Sequence, residues 1–135
     1  MTERVNGSCL CGEVTFQVWG PFKGFRLCHC SRCQKASGSA HVANIFTDPD
    51  NLEVLTGADQ IKRYDHMEAE TFAKCFCTNC GSVVPYKNRP GKFLIIPAGS
   101  LDDDPGMVPE ANIFWPDRAC WYDEGVKAKH CDEYL

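Results

Sequence analysis

No stretch of this chain is apolar for long enough to cross a bilayer. The longest apolar segment, Phe93 to Ala98, is interrupted by Pro97, and a spanning helix needs about 20 such residues. The opening residues, Met-Thr-Glu-Arg-Val-Asn-Gly, lack the apolar stretch of an export signal, so a cytoplasmic protein with no membrane partner is expected. A basic excess is missing too. The formal net charge is −4, and there is no stripe of Lys and Arg with interleaved aromatics, which argues against a nucleic-acid partner. No window carries a sustained i, i+3, i+4, i+7 apolar stripe, which excludes a helical bundle. Tandem repeats, low-complexity tracts and internal linkers are likewise missing, so residues 1–135 are read as a single domain.

What remains is a pattern of short strands. Glu13 to Trp19 alternates, with Val14, Phe16 and Val18 on one face and Thr15 and Gln17 on the other. Gly20-Pro21 ends it. Ala40 to Phe46 and Leu52 to Leu55 read as two strands split by the turn Thr47 to Asn51. Further strands are expected at Ile61 to Tyr64, Thr71 to Phe76, Val83 to Tyr86, Phe93 to Pro97 and Ala111 to Trp115. Only Ser31 to Ser37 and the tail after Asp123 suit a helical turn or two. Eleven Gly and eight Pro spread between the strands fit an all-β domain, a small sandwich or open barrel. Asp102 to Gly106 reads as an acidic, solvated turn. Charge is uneven: residues 1–100 hold 11 Lys and Arg against 9 Asp and Glu, and residues 101–135 hold 3 against 9. An anion-seeking surface therefore belongs in the first hundred residues.

Ten cysteines dominate the composition. With no export signal, close and regular spacings point to metal ligands rather than a disulfide framework. Cys9-Leu10-Cys11 on extended backbone would place both sulfurs on one face. Cys77-Thr78-Asn79-Cys80-Gly81 has the form of a metal knuckle, with Gly81 available for a positive φ. Counting donors, Cys9 and Cys11 with Cys77 and Cys80 make a closed tetrahedral zinc site of four thiolates. Such a site would tie an N-terminal hairpin to a strand far along the chain.

Cys28, Cys30 and Cys33 superpose C-x-C and C-x-x-C and offer three thiolates from one short segment. Three protein ligands leave a fourth position open, the arrangement of a reactive zinc rather than a structural one. A second reading closes this site with a distant ligand such as Cys75, Cys120 or His41. His29 lies between two ligands and would project away from them, into the core or behind the site. Arg32 and Lys35 are cations beside the cluster whose direction the spacing leaves open. Cys75 would share a strand face with Cys77; Cys120 and Cys131 read as free thiols.

Gly7-Ser8-Cys9-Leu10-Cys11-Gly12-Glu13-Val14, Cys28-His29-Cys30-Ser31-Arg32-Cys33-Gln34-Lys35-Ala36-Ser37-Gly38-Ser39 and Phe76-Cys77-Thr78-Asn79-Cys80-Gly81 resemble the glutathione-dependent formaldehyde-activating enzyme family, which also includes centromere protein V. The resemblance runs over about residues 5–123, taking in Ala98 to Asp103 and Trp121-Tyr122. It implies a mainly β, zinc-stapled domain of short antiparallel strands, a β-sandwich or β-tent. Two zinc ions per chain are implied: one on Cys9, Cys11, Cys77 and Cys80, the other on the catalytic-site ligands Cys28, Cys30 and Cys33. The implied activity is that of a carbon–sulfur lyase, joining formaldehyde to glutathione as S-(hydroxymethyl)glutathione. Its partners would be a small thiol such as glutathione and an aldehyde. A non-catalytic zinc module for protein interaction is the alternative that the centromere-protein branch suggests. The chain departs from the family at Asn112, where members usually carry His, and at Cys120, where they usually carry Pro.

Overall fold

The computed structural model describes residues 3–135, and strands dominate it. The first sheet joins β1 (Val5–Ser8), β2 (Thr15–Val18) and β5 (Leu52–Thr56), with β2 in the middle and both pairings antiparallel. The alternation of β2 sets its role: Val14, Phe16 and Val18 are 0–1 % exposed, while Thr15 and Gln17 face outward.

The largest sheet has the order β11 (Ala111–Ile113), β3 (Gly24–Cys28), β4 (Val42–Thr47), β10 (Leu94–Pro97), β9 (Tyr86–Lys87). All its pairings are antiparallel except β11 with β3, which is parallel. A third sheet pairs β6 (Ile61–Asp65), β7 (Ala73–Cys77) and β8 (Val83–Val84). Ile45 of β4 and Leu94 and Ile96 of β10 meet Phe16 and Val84 in one core. Each such side chain taken fully out of water contributes about 1.5–3 kcal/mol. The two short helices are α1 (Ser31–Ser37) and α2 (Tyr122–Val126). No helix among the described residues is long and apolar enough to cross a membrane.

The fold is thus the mainly β domain of short strands that the sequence suggested, in three small sheets, with β1 and β3 as strands the pattern did not announce. β1 was masked by Asn6 and Gly7, and Gly7 is needed there. A Cβ on Gly7 would sit 2.2 Å from the Phe16 ring, so the ring closes over bare backbone.

Two local expectations change. Cys9 and Cys11 do not lie on extended backbone; they sit in the loop that turns β1 into β2. The turn is closed by the Cys9 N–H donating to the Val14 carbonyl at 3.0 Å and the Gly12 N–H to the Cys9 carbonyl at 3.1 Å. The acidic turn is exposed but also anchored to β1. Asp102 accepts from the Ser8 hydroxyl at 2.9 Å, and Asp103 accepts from the Asn6 N–H at 3.0 Å.

Candidate metal centre

The β1–β2 loop and the turn after β7 meet face to face. Cys77 ends β7, and the chain reverses through Gly81 at φ 78°, whose N–H donates to the Cys77 carbonyl at 2.7 Å. This presents Cys77 and Cys80 to the opposite loop. The Sγ atoms of Cys9, Cys11, Cys77 and Cys80 all lie within 4.8 Å of one another. Cys9 to Cys11 is 3.5 Å and Cys11 to Cys77 is 3.9 Å. For a metal–sulfur bond of about 2.3 Å, the edge of a regular tetrahedron is about 3.8 Å. The donor set and its spacing therefore fit one tetrahedral thiophilic ion.

The surrounding amides suit thiolates. The Val14 N–H points at Cys9 Sγ at 3.3 Å. Burial disfavours the Cys9 thiolate, yet that N–H and the neighbouring thiols leave its pKa below the ordinary value. The hydroxyl of Ser82, 3.3 Å from Cys80 Sγ, and its backbone N–H pull Cys80 down to about 5. Cys77 is pushed the other way, to about 11: the Cys80 N–H favours its thiolate, but burial and the competing sulfurs of Cys80 and Cys9 prevail.

The second cluster is built on α1. Cys28 ends β3; Cys30 caps α1, its sulfur accepting from the Cys33 N–H at 3.4 Å; Cys33 lies buried in the first turn. Their sulfurs also lie within 4.8 Å of one another, and no fourth His, Cys, Asp or Glu donor joins them among the described residues. Cys28 is pulled down to about 6, first because the Cys33 thiol donates to it; burial opposes this, and Cys30 assists. Cys33 is raised in return. Three soft donors around one point, with no fourth, fit an ion that keeps a position open.

Several groups hold this cluster rigid. Gln34 donates to the His29 carbonyl at 2.7 Å and to the Asp117 carbonyl at 3.0 Å, tying α1 to the C-terminal segment. His29 is completely buried. Its Nε2–H donates to Asn112 Oδ1 at 2.8 Å, and its Nδ1 has no partner. Asn112 reaches it because β11 runs parallel to β3, a contact that Asn supplies where the family pattern has His. The rings of Tyr122, His41 and Trp115 pack edge-on around His29 at 4.7, 4.9 and 5.2 Å between centroids.

Cys33 also lines a cavity of about 720 Å³, shared with Cys9, His41, Lys74 and Tyr86 among mostly apolar walls. Burial, and then the proximity of His29, lower the pKa of His41 below the ordinary imidazole value. Burial, and then the charge of Cys33, raise that of Tyr86. Of these cavity residues, Cys9 and Cys33 are expected metal ligands from the sequence and His41 a possible distant ligand; His41 is not among the three donors of the second cluster. Lys74 and Tyr86 left no sequence signal, since each sits on an ordinary alternating strand. Cys75 faces the core beside Cys77 and lies outside the donor set, its pKa raised by burial. Cys120 and Cys131 are exposed.

A mainly β domain carrying a four-sulfur and a three-sulfur cluster defines a class of small cysteine-ligand proteins that could hold two metal ions. The sequence pattern of the glutathione-dependent formaldehyde-activating enzyme family matches residues 4–117, and the chain belongs to that family. It is 33% identical over 112 residues to a Halomonas elongata protein whose name assigns it provisionally as a glutathione-dependent formaldehyde-activating enzyme. That match covers 78% of this chain and 71% of the relative. The fold is similar to the crystal structure of a Rhodobacter sphaeroides protein, with a TM-score of 0.59 and 26% identity, covering 77% of this chain and 97% of that one.

Proposed function

We propose that residues 1–135 form one zinc-dependent domain that joins a thiol to formaldehyde, as a carbon–sulfur lyase acting in either direction, with glutathione as the thiol. In this reading Cys9, Cys11, Cys77 and Cys80 hold a structural zinc, and Cys28, Cys30 and Cys33 hold a second zinc at the reactive site. Membership of a formaldehyde-activating family supports this reading of the reaction. The observation that carries the assignment of the site is the three-sulfur cluster, with no fourth donor among the described residues and with Cys33 on a cavity wall. Ten cysteines, none of them in a disulfide, suit a reducing cytoplasm.

Zinc bound by three thiolates supplies a Lewis-acid position that favours a thiolate over a thiol and polarises a carbonyl. The chain's own residues do the rest. In the synthetic direction a sulfur–carbon bond forms, the carbonyl π pair moves to oxygen, and the thiol's proton ends on that oxygen. His41, held neutral near pH 7, can take that proton. Tyr86, held protonated, can donate a hydrogen bond to the aldehyde oxygen. The mostly apolar walls give water few partners beside the reacting carbon.

The test combines metal content with a spectroscopic thiol assay. Elemental analysis before and after a mild chelator should find two zinc ions per chain, one of them labile and lost in Cys30→Ser. In cobalt-substituted protein, glutathione should change the sulfur-to-cobalt absorption, and formation of S-(hydroxymethyl)glutathione should exceed the uncatalysed rate. Two tightly held ions, with a spectrum indifferent to thiols, would instead favour the non-catalytic interaction module.

A further inference from the structure

Two cavities meet along α1. The larger, of about 720 Å³, reaches Cys33 between largely apolar walls. The second, of about 450 Å³, is lined by Arg32, Lys35 and Lys74 with Ser31, Tyr64 and His66. Lys74, Ala36 and Phe72 belong to both linings, so the two spaces adjoin across them. No carboxylate side chain lines the second cavity.

The cations there are unneutralised. Seven ion pairs form among the described residues, and none includes Arg32, Lys35 or Lys74. Arg32 donates only to the Glu68 carbonyl, at 3.5 Å, and Lys74 only to the Ala36 carbonyl, at 3.4 Å, with its ammonium 5.6 Å over the Phe76 ring. The Lys35 ammonium has no hydrogen-bond or ion-pair partner among the described residues. In a chain of net charge −4, three unpaired cations around one concavity repel one another and concentrate anions. Formaldehyde is uncharged and has two heavy atoms, so neither the charge nor the volume is needed for it. Both describe the other reactant.

We infer that the Arg32–Lys35–Lys74 cavity seats the anionic end of the thiol substrate, with the adjoining apolar cavity taking the part that carries sulfur to Cys33. The inference rests on the proposed function only in taking the ligand to be a thiol. Arg32 can grip a carboxylate or phosphate with its planar fork, and Lys35 and Lys74 act as point charges. Lys74, half-buried where the cavities adjoin, is the group that aligns the two ends of the substrate.

The test uses S-methylglutathione, which keeps both carboxylates and cannot offer a thiol to metal, with inorganic phosphate as a second probe. Calorimetric titration of the zinc-loaded full chain should show S-methylglutathione binding that weakens with added salt. Arg32→Gln and Lys35→Gln, both exposed positions, should each weaken it about three- to tenfold, the size of one ordinary hydrogen bond, since solvent screens a charge contact at an exposed position. The effect of neutral 2-mercaptoethanol on the cobalt spectrum should stay the same in both variants. Charge-dependent binding of phosphate alone would assign a phosphorylated substrate to the same seat. If neither probe binds, or both bind the variants as tightly as the wild type, the inference is overturned. The proposed function survives that result if glutathione still perturbs the cobalt spectrum. If thiols leave the spectrum unchanged while S-methylglutathione binds in a charge-dependent way, the seat stands and the proposed function fails.

Discussion

Replacing Asn112 with alanine tests how the three-sulfur cluster is supported. The change removes the 2.8 Å acceptor of His29 Nε2–H. Because His29 Nδ1 already has no partner, both ring nitrogens of a fully buried imidazole would then lack a protein partner. Stranding a buried donor costs about 1–3 kcal/mol. Asn112 is itself exposed, so water can enter from its side and replace part of the bond, which selects the lower end of that range, about 1–1.5 kcal/mol. With an unfolding entropy of about 2.1 cal/mol/K per residue, a chain this long loses about 3.5 °C for each kcal/mol. The expected fall in Tm is therefore about 3–6 °C, read by circular dichroism at fixed free zinc. Asn112→Asp keeps an acceptor oxygen and should hold Tm to within about 2 °C of the wild type. Because His29 lies between Cys28 and Cys30, Asn112→Ala should also release the labile metal to a chelator faster. A Tm unchanged by Asn112→Ala, or lowered equally by Asn112→Asp, would refute this account of His29.

With zinc on the four-sulfur cluster as proposed, Cys77→Ser should remove one tightly held ion per chain and lower Tm by more than about 10 °C, because the energy of ion binding is folding energy; elemental analysis and thermal unfolding check both. Gly57→Ala should destabilise by about 2 kcal/mol or more in denaturant unfolding. Gly57 has φ 77°, and an added Cβ would lie 2.3 Å from the Glu13 carbonyl oxygen, which is backbone and cannot swing aside. The Arg118–Asp123 pair, with its closest contact at 3.1 Å, lowers the Asp123 pKa below its ordinary 3.8. Its contribution to stability is complete above that value and lost as pH falls through the depressed folded pKa. Arg118 also stacks on Trp115 at 4.3 Å. Tryptophan fluorescence should therefore report loosening of the C-terminal segment below about pH 4 in the wild type. In Arg118→Gln the loosening should already be present at pH 7, with little further change on acidification.

Much of the site was legible because its signals are local. C-x-C, C-x-x-C and a following glycine are spacings within a single turn, and the grouping into four and three sulfurs needed only a count of donors. The alternation around Phe16 and the Gly and Pro between strands similarly disclosed the β class. The two strands outside the expected set differ in kind: β1 carries Gly7 under the Phe16 ring, while β3 turns Phe25 and Leu27 to the core and carries Gly24 on the opposite face, beside Arg26 and Glu110. In β1 the hydrophobic pattern is therefore broken where close packing requires it to be, and in β3 only two apolar residues, Phe25 and Leu27, mark the core face.

The sequence by itself determined which residues could ligate metal, that the domain is built of short strands, and where a surplus of positive charge could lie. Only the tertiary structure decided that α1 is inserted between the antiparallel strands β3 and β4, which sets Cys33 against a cavity wall formed by distant strands. It also decided that His29 is held by Asn112 across a parallel pairing, and that Lys74 adjoins Arg32 and Lys35. The physical reason is range. Ligand spacing and side-chain alternation are imposed by backbone geometry over a few bonds. Which walls close a cavity and which cations share it depend on contacts between residues more than thirty positions apart, set by how the sheets pack around one core.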